Sequence, residues 1–335
     1  MSKRLNDMLN EKILITGGLG AIGSFVTRHF IENGYTPIVF DSRPDFSLVH
    51  DLKEKFELVL GDIMDFLALS RIIKENKIKR IAHMAALMPD ICQSNPSLGW
   101  RVNADGTMNM LELARTFDID RLVFASSSSV YADKEDQYSH PQYVPISEDY
   151  PKNPTQVYGV TKLACELMAQ QYHANYGLPY VALRFSATYG PGKLARHGRV
   201  ALHSRLIEDV MSGIPIRHLQ GGDQLDDMVY NRDVGLGVFL AVTKSDVSSG
   251  PYNIGSGRMC TLKDMADALK EFINGAVIEI GPGLDYYGNN SRFYGQFDIT
   301  RASEMFDYKP IYDVRAGIKD YIELMNKLGL SRSPE

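Results

Sequence analysis

Lys12-Ile13-Leu14-Ile15-Thr16-Gly17-Gly18-Leu19-Gly20-Ala21-Ile22-Gly23 is the stretch that decides the fold. Its first five residues read as a short buried strand, and the apolar run from Ser24 to Ile31 is compatible with a helix. A glycine turn between a strand and a helix is the context in which Gly-x-Gly-x-x-Gly means a dinucleotide site. Gly17 and Gly18 allow the tight turn, and Gly20, with Ala21 and Ile22 beside it, lets backbone N–H groups approach a pyrophosphate. Gly23 lets the helix pack close to the strand, with its N-terminus facing the anion.

The next strand, Thr36 to Phe40, ends in Asp41, 18 residues after Gly23. A carboxylate there accepts ribose hydroxyls and repels a 2′-phosphate, which favours NAD over NADP. Arg43, two residues on, pulls the other way, because it can pair with that phosphate. Gly61-Asp62-Ile63 follows a third strand, Glu57 to Leu60, and puts a second carboxylate where an adenine amine can sit. Further buried strands are expected at Arg80 to Met84, Arg121 to Ala125 and Tyr180 to Arg184, with helices at Gly99 to Phe117 and Pro154 to Tyr176. This alternation predicts an α/β chain with a Rossmann-type, doubly wound parallel sheet. Beyond Gly190 the composition shifts to scattered glycines and shorter elements, with helices expected at Leu262 to Ile273 and Val314 to Leu328. The expected division is a dinucleotide-binding domain over 1–185 and a smaller, discontinuous C-terminal substrate domain over 186–330, some of whose segments return to the sheet.

Tyr158-Gly159-Val160-Thr161-Lys162 carries the chemistry. A tyrosine and a lysine four apart share a helix face. The ammonium is expected to favour the phenolate and lower the phenol pKa from about 10, which suits a general acid/base. The serine run Ser126 to Ser129 offers a hydroxyl to hold the same substrate oxygen.

With these pieces in place, the chain resembles the extended short-chain dehydrogenase/reductase family, which includes nucleotide-sugar epimerases and dehydratases. The resemblance runs from about Lys12 to Lys327. It rests on Thr16 to Gly23, Asp62, His83-Met84-Ala85-Ala86, Asn103-Ala104-Asp105-Gly106-Thr107, the serines ending Val130-Tyr131, Tyr158 to Lys162, and Arg184 to Gly192. It implies that Tyr158 moves the hydroxyl proton while a hydride passes to and from NAD. It also implies that Lys162 binds the nicotinamide ribose, and that Ala85 and Asn103 lie beside the cofactor. Counting back four from Tyr131 makes Ser127 the third catalytic member. Ser126, Ser128 and Ser129 are then strand-end or turn residues, with hydroxyls free for backbone caps. Dehydratases of this family carry Asp-Glu after that serine and UDP-glucuronate decarboxylases a glutamate two residues after it. Here Ser128 and Ser129 stand instead, which disfavours both eliminations. A homodimer through the two long helices is also implied.

Two departures weaken the match at the substrate. Ala187 replaces an asparagine, and Asp226 replaces an arginine that holds the diphosphate, where a carboxylate is costly. Arg292 matches the late phosphate arginine, and the cluster Arg196, His197, Arg199 offers compensating charge, with Ser127 and Ser128 at the sugar. The expected function is therefore an NAD-dependent sugar epimerase, most simply on a nucleotide sugar. The alternatives are a dehydrogenase or reductase of a sugar or sugar acid, and a non-catalytic dinucleotide-binding protein.

Global properties agree with an enzyme of small molecules. Over 335 residues the net charge is −5, with no long block of like charge, so no nucleic-acid surface is expected. The three cysteines match no metal spacing or disulfide set, and no apolar run reaches membrane-spanning length. The polar first ten residues hold no signal core, so a cytoplasmic location is the expectation. Asp223, Asp226 and Asp227 match no metal pattern, and none is expected. Tyr286, Tyr287, Phe293 and Tyr294 read as loop packing.

Overall fold

The computed structural model describes residues 11–197 and 201–331. Its strands are β1 Ile13–Thr16, β2 Ile38–Asp41, β3 Glu57–Leu60, β4 Arg80–His83, β5 Arg121–Ser127, β6 Tyr180–Phe185, β7 Ala187–Tyr189, β8 Ile216–His218, β9 Met228–Tyr230, β10 Gly250–Ile254 and β11 Ile278–Ile280. Seven of them form one sheet in the order β10-β6-β5-β4-β1-β2-β3, and every pairing in it is parallel. Such strands are buried on both faces, which is why they read as near-continuous apolar runs. Ile13, Ile15, Ala82, Val123, Val181 and Leu183 pack on one face, with Val26, Phe30, Val234, Val238 and Phe306 of the helices Gly23–Glu32, Asn231–Thr243 and Thr300–Phe306. Leu14, Ile81, Leu122, Phe124 and Ala182 pack on the other, with the helices Phe66–Glu75, Gly106–Thr116 and Val157–Tyr176.

The strand order reverses beside β1, whose neighbours are β2 and β4. In open sheets of this kind ligands bind outside the carboxyl ends at such a point. The glycine turn, Asp41 and the Met84–Ala85 segment all leave strands there. A separate cluster is built by Tyr189, Leu206, Ile207, Leu262, Leu269, Ile318 and Tyr321, around the two-stranded pairs β8–β11 and β7–β9. β10 and the helices Asn231–Thr243 and Thr300–Phe306 instead join the large sheet. None of the described helices is long and apolar enough to cross a membrane.

One helix differs from its sequence reading. The stretch expected as a single helix from Gly99 to Phe117 is a short helix Pro96–Trp100, a π-turn Arg101–Asp105 and a helix Gly106–Thr116. Single π-turns are frequent at functional sites. This one turns the Asn103 amide to Leu87, accepting from its N–H at 2.7 Å and donating to its carbonyl at 3.0 Å.

Behind the sheet's carboxyl edge lies a buried ion pair. Arg184, 2% exposed, meets Glu166 through Nε at 2.9 Å and Nη2 at 2.6 Å. Its Nη1 donates to Tyr131 Oη at 2.9 Å and to the Glu148 carbonyl at 2.8 Å. Ser126 Oγ donates to Glu166 Oε1 at 2.5 Å, and Tyr131 Oη donates to Asn253 Oδ1 of β10 at 2.6 Å. Ser126 is therefore a partner of a carboxylate and not the backbone cap expected of it. The network ties β5, β6, β10 and the Val157–Tyr176 helix together. Removing one member leaves a buried charge unpaired, so Arg184→Ala or Glu166→Ala is expected to cost about 3–5 kcal/mol in denaturant unfolding. Replacing both, as Arg184→Met with Glu166→Leu, should recover most of that loss.

Candidate active site

The glycine turn is shaped by contact with its neighbours. Gly17 sits at φ +67°, and a Cβ on it would lie 2.7 Å from Ala85 N. A Cβ on Gly23 would lie 1.9 Å from the Gly17 carbonyl oxygen, so no side chain fits there. Gly20 stays half-buried, and its carbonyl accepts from Ser24 N at 2.9 Å. Ile22 caps the Gly23–Glu32 helix with no side-chain hydrogen bond, and its first turn holds no acidic residue. Such an end is a ready anion site. Ala21 is buried, its carbonyl accepting from Asn231 Nδ2 at 3.1 Å.

Asp41 Oδ2 accepts from Leu19 N at 3.0 Å, which fastens the turn to the end of β2, and Oδ1 accepts from Arg43 N at 3.2 Å. Arg43 thus supports the carboxylate through its backbone, while its side chain is exposed. Asp62 is exposed and accepts from Met64 N at 2.9 Å. Ile63 is buried against Gly106, where a Cβ would lie 3.0 Å from its Cγ2. An uncapped helix end, a cradle with no room for side chains and a carboxylate at the end of β2 together fit NAD.

The proton-handling group is assembled from two elements. Ser127 ends β5 and stays half-buried, with its Oγ donating to Ser129 Oγ at 3.1 Å and accepting from Ser129 N at 3.1 Å. Tyr158 and Lys162 lie in the first turns of the Val157–Tyr176 helix, both buried. Gly159 brings that helix onto the serine loop, since a Cβ there would lie 2.2 Å from the Ser129 carbonyl oxygen. Lys162 Nζ donates to the Ala125 carbonyl at 2.8 Å and lies 5.6 Å from the centre of the Tyr158 ring.

The electrostatics correct the expectation drawn from spacing. Burial raises the Tyr158 phenol above its ordinary range, and the hydrogen bond with Ser127 offsets only part of that. Burial also lowers the Lys162 ammonium. In this structure Tyr158 rests as a phenol, because desolvation outweighs that hydrogen bond. His83 is a packed core residue, joined to Thr16 Oγ1 at 2.6 Å and Thr107 Oγ1 at 3.2 Å. Burial, helped by the Lys162 charge, pushes its pKa down to about 3, so the imidazole is neutral.

The residues read as substrate contacts scatter. Ser128 opens a short 3₁₀ turn, Ser128–Val130, beside Ser127. Arg196 is held by Asp45, by Ser47 Oγ at 3.3 Å and by the Gly192 carbonyl at 3.1 Å. It ties the short helix Lys193–His197 to the Asp45–Ser47 loop and leaves the substrate assignment unsupported. Arg199 lies outside the described residues. Arg292 is exposed and pairs with Glu135 at 3.2 Å.

Asp226 is buried, not facing an anion. It accepts from Tyr286 Oη at 2.7 Å, Asp227 N at 3.0 Å and Gly295 N at 3.3 Å, and burial pushes its pKa up to about 6. Asp227 binds Ser256, Ser186 and Phe297 N, while Asp223 pairs with Lys263. No group of residues able to hold a metal occurs among the described residues. Tyr286, Tyr287, Phe293 and Tyr294 pack on one another in tilted and edge-on contacts, with ring centres 4.6–5.6 Å apart.

Two participants escaped the sequence reading. Gly159 was legible as a glycine one residue after the tyrosine. Glu166 was not, since only its pairing with Arg184 and Ser126 gives it meaning.

Comparison with known proteins follows this geometry. The sequence model of the NAD dependent epimerase/dehydratase family matches residues 13–255. A candidate UDP-glucose 4-epimerase of Methanocaldococcus jannaschii is 32% identical over 318 residues, covering 93% of this chain and 98% of that protein. The Thermotoga maritima UDP-glucose 4-epimerase solved with UDP-glucose superposes with a TM-score of 0.80 at 26% identity, over 94% of this chain and 99% of that one. MoeE5 in complex with UDP-glucuronic acid and NAD superposes with a TM-score of 0.76 at 27% identity, over 94% and 99%. The chain belongs to the NAD dependent epimerase/dehydratase family, NAD-dependent enzymes of the extended short-chain dehydrogenase/reductase type.

Proposed function

We propose that this protein inverts a carbinol centre of a nucleotide sugar by transient oxidation of a secondary hydroxyl, without net redox change. The observation that carries this reading is Ser127, Tyr158 and Lys162 gathered at one end of the sheet, with serines and no carboxylate at positions 128 and 129. The nucleotide clause is supported by the UDP-sugars bound in the two similar structures.

NAD would be held at Gly17, Gly20, Ala21, Ile22 and Gly23, with Asp41 at a ribose and Asp62, Ile63, Ala85 and Asn103 alongside. When bound, it supplies a reversible hydride acceptor. Ser127 holds the substrate oxygen. Tyr158 carries the hydroxyl proton away as the carbon is oxidised and returns it when the carbonyl is reduced, so its proton count over a turnover is zero. Lys162 supplies the positive charge that a phenolate needs in a dry site. Ser128 and Ser129 have no acidity with which to drive loss of water or of a carboxyl group.

We read residues 1–185 as the NAD-binding part and 186–330 as mainly substrate-binding. We also read the chain as a cytoplasmic homodimer. Trp100, Val160, Leu167, Met168 and Tyr176 are exposed on the two helical stretches that the dimer would use, and Cys92 and Cys165 are free thiols.

Three measurements test the reading. In assays with UDP-sugars, Tyr158→Phe should lower kcat about 10²–10⁴-fold and leave NAD affinity intact. An unchanged kcat would sink the proton-transfer role. Lys162→Met removes a cation, so the phenolate is disfavoured and the phenol pKa rises. The rate, which climbs with pH as Tyr158 ionises, should then climb at higher pH than in the parent protein. Asp41→Ala should raise the affinity for NADP relative to NAD, read by titration with each dinucleotide.

A further inference from the structure

Lys134 is 3% exposed although it carries a charge. Among the described residues its ammonium has no ion-pair or hydrogen-bond partner; it lies 5.7 Å from the centre of the Tyr131 ring, and the carboxylates of Asp226 and Asp133 act on it from beyond ion-pair distance. Buried cations are ordinarily paired, because desolvation without a counter-charge is costly. Of the two carboxylates, Asp226 already accepts from Tyr286, Asp227 and Gly295, and Asp133 is exposed to solvent. Burial accordingly pushes the Lys134 pKa down to about 8.

Lys134 lines a cavity of about 380 Å³ together with Glu135, Asp136, Gln224, Arg292 and Tyr294. Lys134 N donates to the Arg292 carbonyl at 2.7 Å, so the two cations sit on paired backbone segments. Glu135 holds the Arg292 guanidinium at 3.2 Å, with both side chains more than 60% exposed. An exposed pair of that kind is weak, so an incoming anion can displace it. The loop carrying Lys134 leaves β5 directly after Ser127, and its Tyr131 is anchored on Arg184 at 2.9 Å.

We propose that Lys134 receives an oxyanion of the substrate, a phosphate or a carboxylate, in this cavity, with Arg292 completing the contact. The proposal rests on the reading of the chain as a sugar enzyme, and it names the charge that the sugar must carry. It also explains how the site does without an arginine at position 226.

The test is calorimetric titration of the NAD-loaded protein with UDP and, separately, with free glucuronate, which tells phosphate from carboxylate. The parent protein should bind at least one of them saturably. Lys134→Met should weaken that binding about tenfold or more, Lys134→Arg should hold it within about threefold, and NAD affinity should stay the same in both. Equal affinity in the parent protein and Lys134→Met, or no binding of either anion to the parent, would overturn the proposal. Should Lys134→Met lose NAD binding through misfolding, acylation of Lys134 in the parent protein decides. The bound anion should slow labelling severalfold, and unchanged labelling defeats the idea. Sugar inversion that persists with normal anion binding in Lys134→Met removes this proposal alone. Protection of Lys134 by UDP without any inversion removes the epimerase reading alone.

Discussion

The buried pair of Arg184 and Glu166 is the constraint on which the site depends. Two charges taken out of water are costly unless every donor and acceptor finds a partner. Here four of the guanidinium's five N–H donors do, two on the carboxylate, one on the Tyr131 hydroxyl and one on the Glu148 carbonyl, and Ser126 adds a donor to Glu166. Ser126 and Arg184 face each other in the β5–β6 register, one residue before Ser127 and Phe185. Glu166 lies one helical turn beyond Lys162 on the helix that carries Tyr158. The pair therefore fixes the end of β5 against that helix at the point where Ser127 must meet Tyr158. Gly159 sets how closely the helix approaches.

A dry site has a consequence for its charges. Desolvation disfavours every ionised form, so Tyr158 is held as a phenol, Lys162 is weakened as an ammonium and His83 is neutral. Lys162 spends a hydrogen bond on the Ala125 carbonyl, at the edge of the same serine strand. Proton transfer at Tyr158 thus depends on how much positive charge reaches its oxygen, and the chain supplies one ammonium for that purpose among the residues gathered there. The scarcity of acids is equally informative. Glu166 is committed to Arg184, and Ser128 and Ser129 occupy the positions where elimination would need a carboxyl group.

Local patterns were legible in the sequence, and partnerships were not. The strand, glycine turn and helix were readable because the steric demands at Gly17 and Gly23 fall within a few residues. The strands of the sheet were readable from their apolar runs, and Ser127 followed from its distance to Tyr131. The single long helix failed at Arg101–Asp105, where propensity says nothing of a π-turn set by Asn103 and Leu87. Asp226 looked like an anion facing a phosphate because residue type was visible while the Tyr286 hydroxyl, 60 positions away, was not. Arg196 looked free for the same reason, its partner Asp45 being 151 positions distant. Nothing local marks Lys134, because one of the residues that close over its side chain, Gly295, is far along the chain, and the other is Tyr131.

The central claim is that the hydrogen removed from the inverted carbon is the hydrogen given back. The most direct measurement follows the NAD-loaded protein and a UDP-sugar in deuterium oxide, with configuration and isotope at the inverted carbon read by NMR. Transient oxidation predicts inversion with protium retained at that carbon and no accumulation of NADH. Deuterium at the inverted carbon, or NADH rising in proportion to product, would contradict the account.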